Sequence, residues 1–419
     1  MKILHVVNNY EPSIGGTQLL YKGISERCVK QYNDEVEVYT IDSLFGSHSK
    51  NFSAITPKEE NINGVFVKRF SFLRIHLKPI MFINKIIAKF GINSNYLNKC
   101  IAGPISSSLQ KAIYNSDADI ISASPSGFTY MSYPLKRHQL KNPKPFVYQG
   151  AFHFRDSDTE HHISKETLAA IKASEYYLCN TEYEKNRLVQ LGIPEEIIVI
   201  TGVATDVEAF ANGDRNFFRK KLNLEDDDVL VGYFGRLEKA KSIEILVNAF
   251  IEAYQKNNKL VLVLAGFKSE YAITLQTKLS TLDKKFQQRI FWQFNLQANE
   301  KVNLYYALDM FVLPSLNESF GIVFLEAWSC KKPVIGTAIG AIKSVITEGK
   351  DGLLMQPNDI NSLKEKILIL AESKELRNEM GINGYNKTKE NFSWEAVTEK
   401  FRNTYINAIK KFNNVHRRI

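Results

Sequence analysis

The chain of 419 residues has four cysteines, Cys28, Cys100, Cys179 and Cys330, and none stands in a CxxC pair. That spacing argues against a zinc ribbon or a dithiol redox motif. Scattered thiols of this kind fit a reducing compartment. No uncharged apolar stretch reaches the roughly 18 residues that a membrane-spanning helix needs. The first residues, Met-Lys-Ile-Leu-His-Val-Val, hold a short apolar run broken by His5 and no signal-peptide core, so a cytoplasmic protein is expected. Low-complexity tracts and internal repeats are absent. With 44% hydrophobic and 24% charged residues, disorder and collagen are excluded. The net charge is +9, which suggests an anionic partner without naming it.

What is present is alternation. Short apolar runs at 3–7, 36–41, 65–70, 120–123, 146–148, 177–180 and 197–200 form one series. A second series follows at 229–234, 260–265, 290–291, 310–313, 334–336 and 352–355. Amphipathic segments lie between them: Ile243, Leu246, Val247 and Phe250 fall at i, i+3, i+4 and i+7, one helical face. Strand and helix in alternation predict parallel sheets covered on both faces. Two series in a chain of this length predict two doubly wound domains, at about 100–200 residues per domain. The boundaries expected are 1–203, 204–393 and a C-terminal helix over 394–419. A ligand of such a protein is expected in the cleft between the domains, at the carboxyl ends of the strands.

Three loops after strands could carry chemistry. The first is Asn317-Glu318-Ser319-Phe320-Gly321-Ile322-Val323-Phe324-Leu325-Glu326-Ala327. Gly321 is predicted to begin a helix whose free amides at Ile322 and Val323 bind phosphate, helped by the helix dipole. Two glutamates beside an anion site make sense if they accept hydrogen bonds from sugar hydroxyls. Two surface glutamates and a packing glycine are the bland alternative. The second loop is Gly235-Arg236-Leu237-Glu238-Lys239-Ala240-Lys241-Ser242. Arg236 at a strand end and Lys241 at a helix start could stabilise a diphosphate leaving group without metal. The segment nearly matches the P-loop pattern, but Ala240 replaces the penultimate glycine and would obstruct a phosphate cradle. The third loop is Asn8–Thr17, where Gly15 and Gly16 let backbone approach a ligand closely. Two Asp-x-Asp patterns, Asp117–Asp119 and Asp156–Asp158, read better as solvated aspartates than as a metal site.

Together these segments resemble the GT-B glycosyltransferases, specifically glycosyltransferase family 4, over nearly the whole chain. The Gly15-Gly16 loop, Ile200-Thr201-Gly202-Val203 with Asp206 and Phe210, Gly235-Arg236-Leu237 with Lys241, Glu318-Ser319-Phe320-Gly321 with Leu325-Glu326-Ala327, and Lys332-Pro333-Val334 with Gly340 carry the likeness. It implies two Rossmann-like domains facing each other across a cleft. It implies transfer of a sugar from a nucleotide-diphosphate sugar, UDP or GDP, with retention of anomeric configuration and no cofactor or metal. Arg236 and Lys241 would contact the diphosphate, and Glu326 the ribose. Glu318, with Ser319, Phe320, Gly321, Ile322 and Val323, would hold the donor sugar and phosphate. Gly15 and Gly16 would approach from the other domain. The chain departs from the family at Gly340-Ala341-Ile342-Lys343-Ser344, where a glutamate is usual at the last position, and at Ser242, where glycine is usual and an N-cap role is expected. The family's N-domain histidine falls on His153 or leaves Gln149 in its place; His153 is the preferred reading.

The segment Phe70–Phe90 mixes aromatics and isoleucines with Arg74, Lys78, Lys85 and Lys89. Such a stretch can lie on an anionic membrane surface, or it can be a core-packed helix with solvated lysines. Pro79 is expected to break it into two helical pieces. The expected partners are therefore a nucleotide sugar, a glycan or lipid-linked acceptor and an anionic membrane surface, with no nucleic acid. An epimerase or phosphorylase on the same architecture is the alternative, and a non-catalytic nucleotide-binding scaffold the third.

Overall fold

A computed structural model describes residues 1–13, 15–44, 53–73, 77–90, 104–124, 132–150, 152, 154 and 163–416. The first sheet contains β1 (Lys2–Val7), β2 (Glu35–Ile41), β3 (Glu59–Ile62), β4 (Val65–Phe70), β5 (Ile120–Ser124), β6 (Phe146–Gln149), β7 (Tyr176–Cys179) and β8 (Ile198–Ile200). Their order is β3-β4-β2-β1-β5-β6-β7-β8. The second contains β9 (Val229–Phe234), β10 (Leu260–Gly266), β11 (Ile290–Phe294), β12 (Met310–Leu313), β13 (Val334–Thr337) and β14 (Gly352–Met355), in the order β11-β10-β9-β12-β13-β14. All pairings are parallel except β3 with β4. Helices cover both faces, which is why strands such as β10, buried at all seven positions, are continuous apolar runs.

Each sheet reverses its winding once, between β1 and β5 and between β9 and β12. A reversal opens a crevice, because the loops leaving the two adjacent strands diverge. The loops after β9 and β12 are the two charged segments singled out in the sequence.

The helix Trp394–His416 packs on the first sheet. Val397, Phe401, Tyr405 and Ala408 are fully buried in one core with Ile3, Ile120, Val147 and Leu178. Arg402 pairs with Asp34 at 2.8 Å, and His5, between Ser25 (2.7 Å) and Tyr405 (3.1 Å), ties β1 to this helix. The amide of Thr205 donates to the Phe392 carbonyl at 2.8 Å, so the outgoing and returning crossings between the two sheets run side by side. Gly202, with φ +75°, allows this close passage: a Cβ there would lie 2.7 Å from the Phe392 ring.

The structure corrects one expectation and adds to the sequence reading at two points. The edge strand β3 was not anticipated; Asn63 (φ 53°) and Gly64 (φ 89°) close a two-residue hairpin turn that suits right-twisted strands. Pro79 does not split a helix: it sits in the first turn of the single helix Leu77–Lys89, where a missing N–H is harmless. That helix is not core-packed either. Met81, Phe82, Ile83 and Ile86 on it and Phe90 beyond it are exposed, the two phenylalanines at 66% and 77%. Lys85 and Lys89 are exposed as well, whereas Arg74 lies outside the described residues. Among the described residues, no helix is long and apolar enough to cross a membrane.

Candidate active site

β9 ends at Phe234, and Gly235 turns the chain beneath β10: a Cβ on Gly266 would lie only 1.9 Å from the Gly235 carbonyl oxygen. Arg236 follows with its side chain 70% exposed, loosely paired with Glu238 at 3.3 Å. A short 3-10 turn, Lys239–Lys241, leads into the helix Ile243–Tyr254. Ser242 occupies the N-cap position, but its side chain caps nothing, contrary to expectation. It is left-handed, φ 54° and ψ 36°, a conformation glycine adopts at less cost.

From β12 the chain passes through Pro314–Phe320 to Gly321, the left-handed N-cap (φ 88°) of the helix Ile322–Ser329. Gly321 is required there, since a Cβ would lie 2.7 Å from the Phe324 ring. Ile322 begins the helix and is 46% exposed, with Val323 half-buried. Phe320 is buried, its ring edge-on to Phe392 at 5.2 Å, so only its backbone can meet a ligand. Ser319 is half-buried.

The two loops meet. Lys241 Nζ lies 2.5 Å from Glu318 Oε1, with the side chains 13% and 16% exposed. Lys241 is therefore already paired before any anion arrives. An ammonium has three donors, so it can serve Glu318 and a phosphate oxygen together. Glu326, in the second turn of its helix, is paired too. Lys301 Nζ lies 2.5 Å from its Oε1, and Tyr305 OH donates to its Oε2 at 2.8 Å. Both partners come from the helix Ala298–Ala307, and the sequence reading missed them. Their i, i+4 spacing marks a shared face, but nothing in the sequence aims that face at Glu326.

Gly15 and Gly16 follow β1. Gly15 is extended, and Gly16 begins the helix Gly16–Tyr32 with open space where a Cβ would stand. After β6, Gln149 is buried: Ser124 Oγ donates to its Oε1, and its Nε2 donates to the Gly150 carbonyl at 2.8 Å. Gln149 is thus committed inside the domain, which disfavours it in the family's histidine role. His153 lies outside the described residues, as do Asp156–Asp158. Glu184 secures the neighbouring backbone. It accepts from Tyr177 OH at 2.7 Å and from the amides of Asn180 and Phe152 at 3.0 and 3.2 Å, and burial pushes its carboxyl up to about 7. Phe154, two residues on, lines a crevice with Leu316, Asn317, Glu318, Ile339, Gly340 and Ala341 of the other domain. Ser344, where the family's glutamate is missing, accepts from the Tyr183 amide at 3.2 Å across the same divide.

Asp117 and Asp119 sit at the opposite, amino edge of the first sheet. Asp117 pairs with Lys2 Nζ at 2.8 Å, and Asp119 accepts from the Lys2 amide at 2.8 Å. Lys2 accordingly holds the Asp117 carboxyl below its usual range. Among the described residues, no group of three or more histidines, cysteines, aspartates or glutamates could hold a metal ion.

Residues 214–387 match the family described as glycosyl transferases group 1, which is less than half of the chain. An uncharacterized glycosyltransferase of Methanocaldococcus jannaschii is 30% identical over 232 residues, covering 55% of this chain and 59% of that protein. A D-inositol 3-phosphate glycosyltransferase of Kribbella flavida is 24% identical, covering 55% of each. These alignments thus span little more than half of the relatives' length. A second uncharacterized glycosyltransferase of M. jannaschii aligns over 97% of this chain and 98% of its own at 24% identity. Among solved structures, Anabaena HepE in complex with UDP superposes with a TM-score of 0.68 at 17% identity, covering 97% and 100% of the two chains. A UDP-forming trehalose-phosphate synthase from Burkholderia xenovorans gives 0.71 at 13% identity, covering 97% and 99%. Residues 214–387 thus match the glycosyl transferases group 1 family, and the chain that carries them has the two-domain GT-B fold.

Proposed function

We propose that the protein transfers a sugar from a nucleotide-diphosphate sugar to a glycan or lipid-linked acceptor in cell-surface polysaccharide or glycoconjugate synthesis. The observation that carries this reading is the meeting of Lys241 and Glu318 beside the Gly321 helix start, at the point where the second sheet reverses its winding. Breaking the bond between the sugar's C1 and the diphosphate oxygen leaves charge on that oxygen. Lys241, the exposed Arg236 and the amides of Ile322 and Val323 would stabilise it, and the reaction read in this way needs no metal. Glu318 is a carboxylate acceptor for sugar hydroxyls in the same place, and Glu326 is one for the ribose. UDP is the first donor nucleotide to examine, because HepE was crystallised with UDP and with UDP-glucose. The resemblance to family 4 favours retention of configuration, and it supports reading His153 as the family's N-domain histidine. The domain division at 203/204 and the assignment of 394–419 as a returning helix belong to the same reading.

The exposed stripe of Phe82, Ile86 and Phe90 runs beside Met81, Lys85 and Lys89 on the helix Leu77–Lys89. Apolar side chains flanked by lysines suit an anionic bilayer surface, which would bring a lipid-linked acceptor to the cleft. A peripheral position on the inner face of the membrane follows from this reading.

A thermal-shift screen against UDP-, GDP- and ADP-sugars tests the donor assignment, followed by turnover with and without EDTA. At 100 times its dissociation constant a donor should add about 2.7 kcal/mol. Turnover should survive the chelator; loss restored only by manganese or magnesium would overturn the metal-free reading. An interconverted nucleotide sugar with no transferred product would point instead to an epimerase on this fold.

A further inference from the structure

Lys301 is the basic residue beside Glu326, and its ammonium is confined on three sides. It lies 2.5 Å from Glu326 Oε1, 5.6 Å from the centre of the Phe210 ring and 5.0 Å from that of Phe234. The pair is reached from solvent but not bathed in it, with side chains 24% and 12% exposed. Tyr305 holds the other carboxylate oxygen.

A hydroxyl group is one donor and two acceptors. A carboxylate can only accept and an ammonium can only donate, so Glu326 alone satisfies half of a diol. Glu326 uses one lone pair on Lys301 and one on Tyr305, which leaves about two for incoming hydroxyl protons. Lys301 spends one N–H on Glu326 and turns its ring-facing side to Phe210 and Phe234; a remaining N–H can reach the oxygen of the same hydroxyl.

We propose that Lys301 is a second specificity-determining residue for the nucleotide: the Lys301–Glu326 pair, not Glu326 alone, reads the ribose diol, with Glu326 accepting from the hydroxyls and Lys301 donating to them. This rests on the reading above that Glu326 faces the ribose. The two rings fix the ammonium by cation–π attraction, so little conformational freedom is lost when the nucleotide arrives. The pair also rejects a deoxy sugar twice over, since both a donor and an acceptor lose their partner.

Calorimetric titration of the full-length protein with UDP, 2′-deoxy-UDP and 3′-deoxy-UDP tests it, using wild type, Lys301→Met, Lys301→Arg and Glu326→Gln. Wild type should favour UDP over at least one deoxy analogue by about tenfold, the scale of a hydrogen bond to a charged group. Lys301→Met should lower that ratio about threefold by weakening UDP alone, with Glu326 keeping the remainder, while Lys301→Arg, which keeps the cation, preserves more of the preference. An unchanged ratio in Lys301→Met overturns the proposal. So does an equal loss for UDP and its deoxy analogues, which would place Lys301 on the phosphates. In Glu326→Gln a collapsed ratio upholds the ribose reading even where Lys301→Met leaves the ratio intact. A ratio unaffected in both variants removes the ribose reading itself, and the proposal with it.

Discussion

The Lys241–Glu318 pair joins two loops 77 positions apart in sequence, and it can be taken apart one side at a time. Lys241→Met and Glu318→Gln each keep much of the side-chain volume and remove one charge. The atoms are 2.5 Å apart with both side chains less than one-fifth exposed. Exposed pairs contribute about 0.2–1 kcal/mol, and removing one partner of a fully buried pair costs about 3–5 kcal/mol. This pair lies between those limits, so each single change should destabilise the second domain by about 2 kcal/mol. The loss is mainly that of leaving the other charge unpaired in a partly desolvated place. The double variant should then cost only about 1 kcal/mol, a coupling of about 3 kcal/mol. At about 2–4 °C per kcal/mol for a domain of this size, the single variants should unfold about 4–8 °C earlier and the double much less so. Binding separates the two residues further. Lys241 can serve Glu318 and a phosphate oxygen together, but the Glu318 carboxylate repels an incoming diphosphate, so Glu318→Gln should bind UDP as well as wild type or better, yet lose sugar transfer. Lys241→Met should lose both. Urea unfolding and calorimetry with UDP measure these quantities. Additive stability changes, with coupling under about 0.5 kcal/mol, or an equal loss of UDP affinity in the two single variants would refute the reasoning.

Gly321→Ala should cost about 3 kcal/mol, from a left-handed residue gaining a Cβ and from its 2.7 Å approach to Phe324, and it should weaken UDP binding by shifting the helix start; a thermal unfolding midpoint equal to wild type would contradict it. Burial lowers the His5 imidazole from its usual value near 6.5 to about 3. Because the folded state disfavours the charged form, its contribution to stability is complete above pH 6.5 and is lost as pH falls toward 3. Relative to His5→Gln, the wild type should lose about 2 kcal/mol between pH 7.5 and pH 5, read from urea midpoints; parallel profiles would count against the buried neutral histidine. Replacing Lys85 and Lys89 with glutamine should reduce sedimentation with vesicles containing anionic lipid, at about 1 kcal/mol per lysine, without changing UDP affinity. Vesicle binding equal to the parent's would assign the Leu77–Lys89 helix another role.

The sequence by itself determined the layering. Thirteen strands could be read directly, the central ones as continuous apolar runs buried on both faces and β2 and β4 as runs in which apolar and polar residues mix, and the helical periods between them required parallel sheets. The edge strand Glu59–Ile62 escaped because none of its residues is buried and three of the four are polar; only the Asn63-Gly64 turn announced it. The sequence also placed Arg236, Lys241, Glu318 and Glu326 in loops or the first two helical turns after strands, since motif spacing is local. Tertiary structure decided what those charges meet. Lys241 finds Glu318 because β9 and β12 become neighbours at the reversal of winding, a fact of strand order that no local pattern contains. Lys301 and Tyr305 reach Glu326 because successive helices pack over the same sheet, and His5 reaches Tyr405, 400 residues on, because the last helix returns to the first sheet. Local sequence fixes which groups stand at a strand's end, because backbone geometry is local. Which groups stand opposite is decided by packing between elements far apart in the chain.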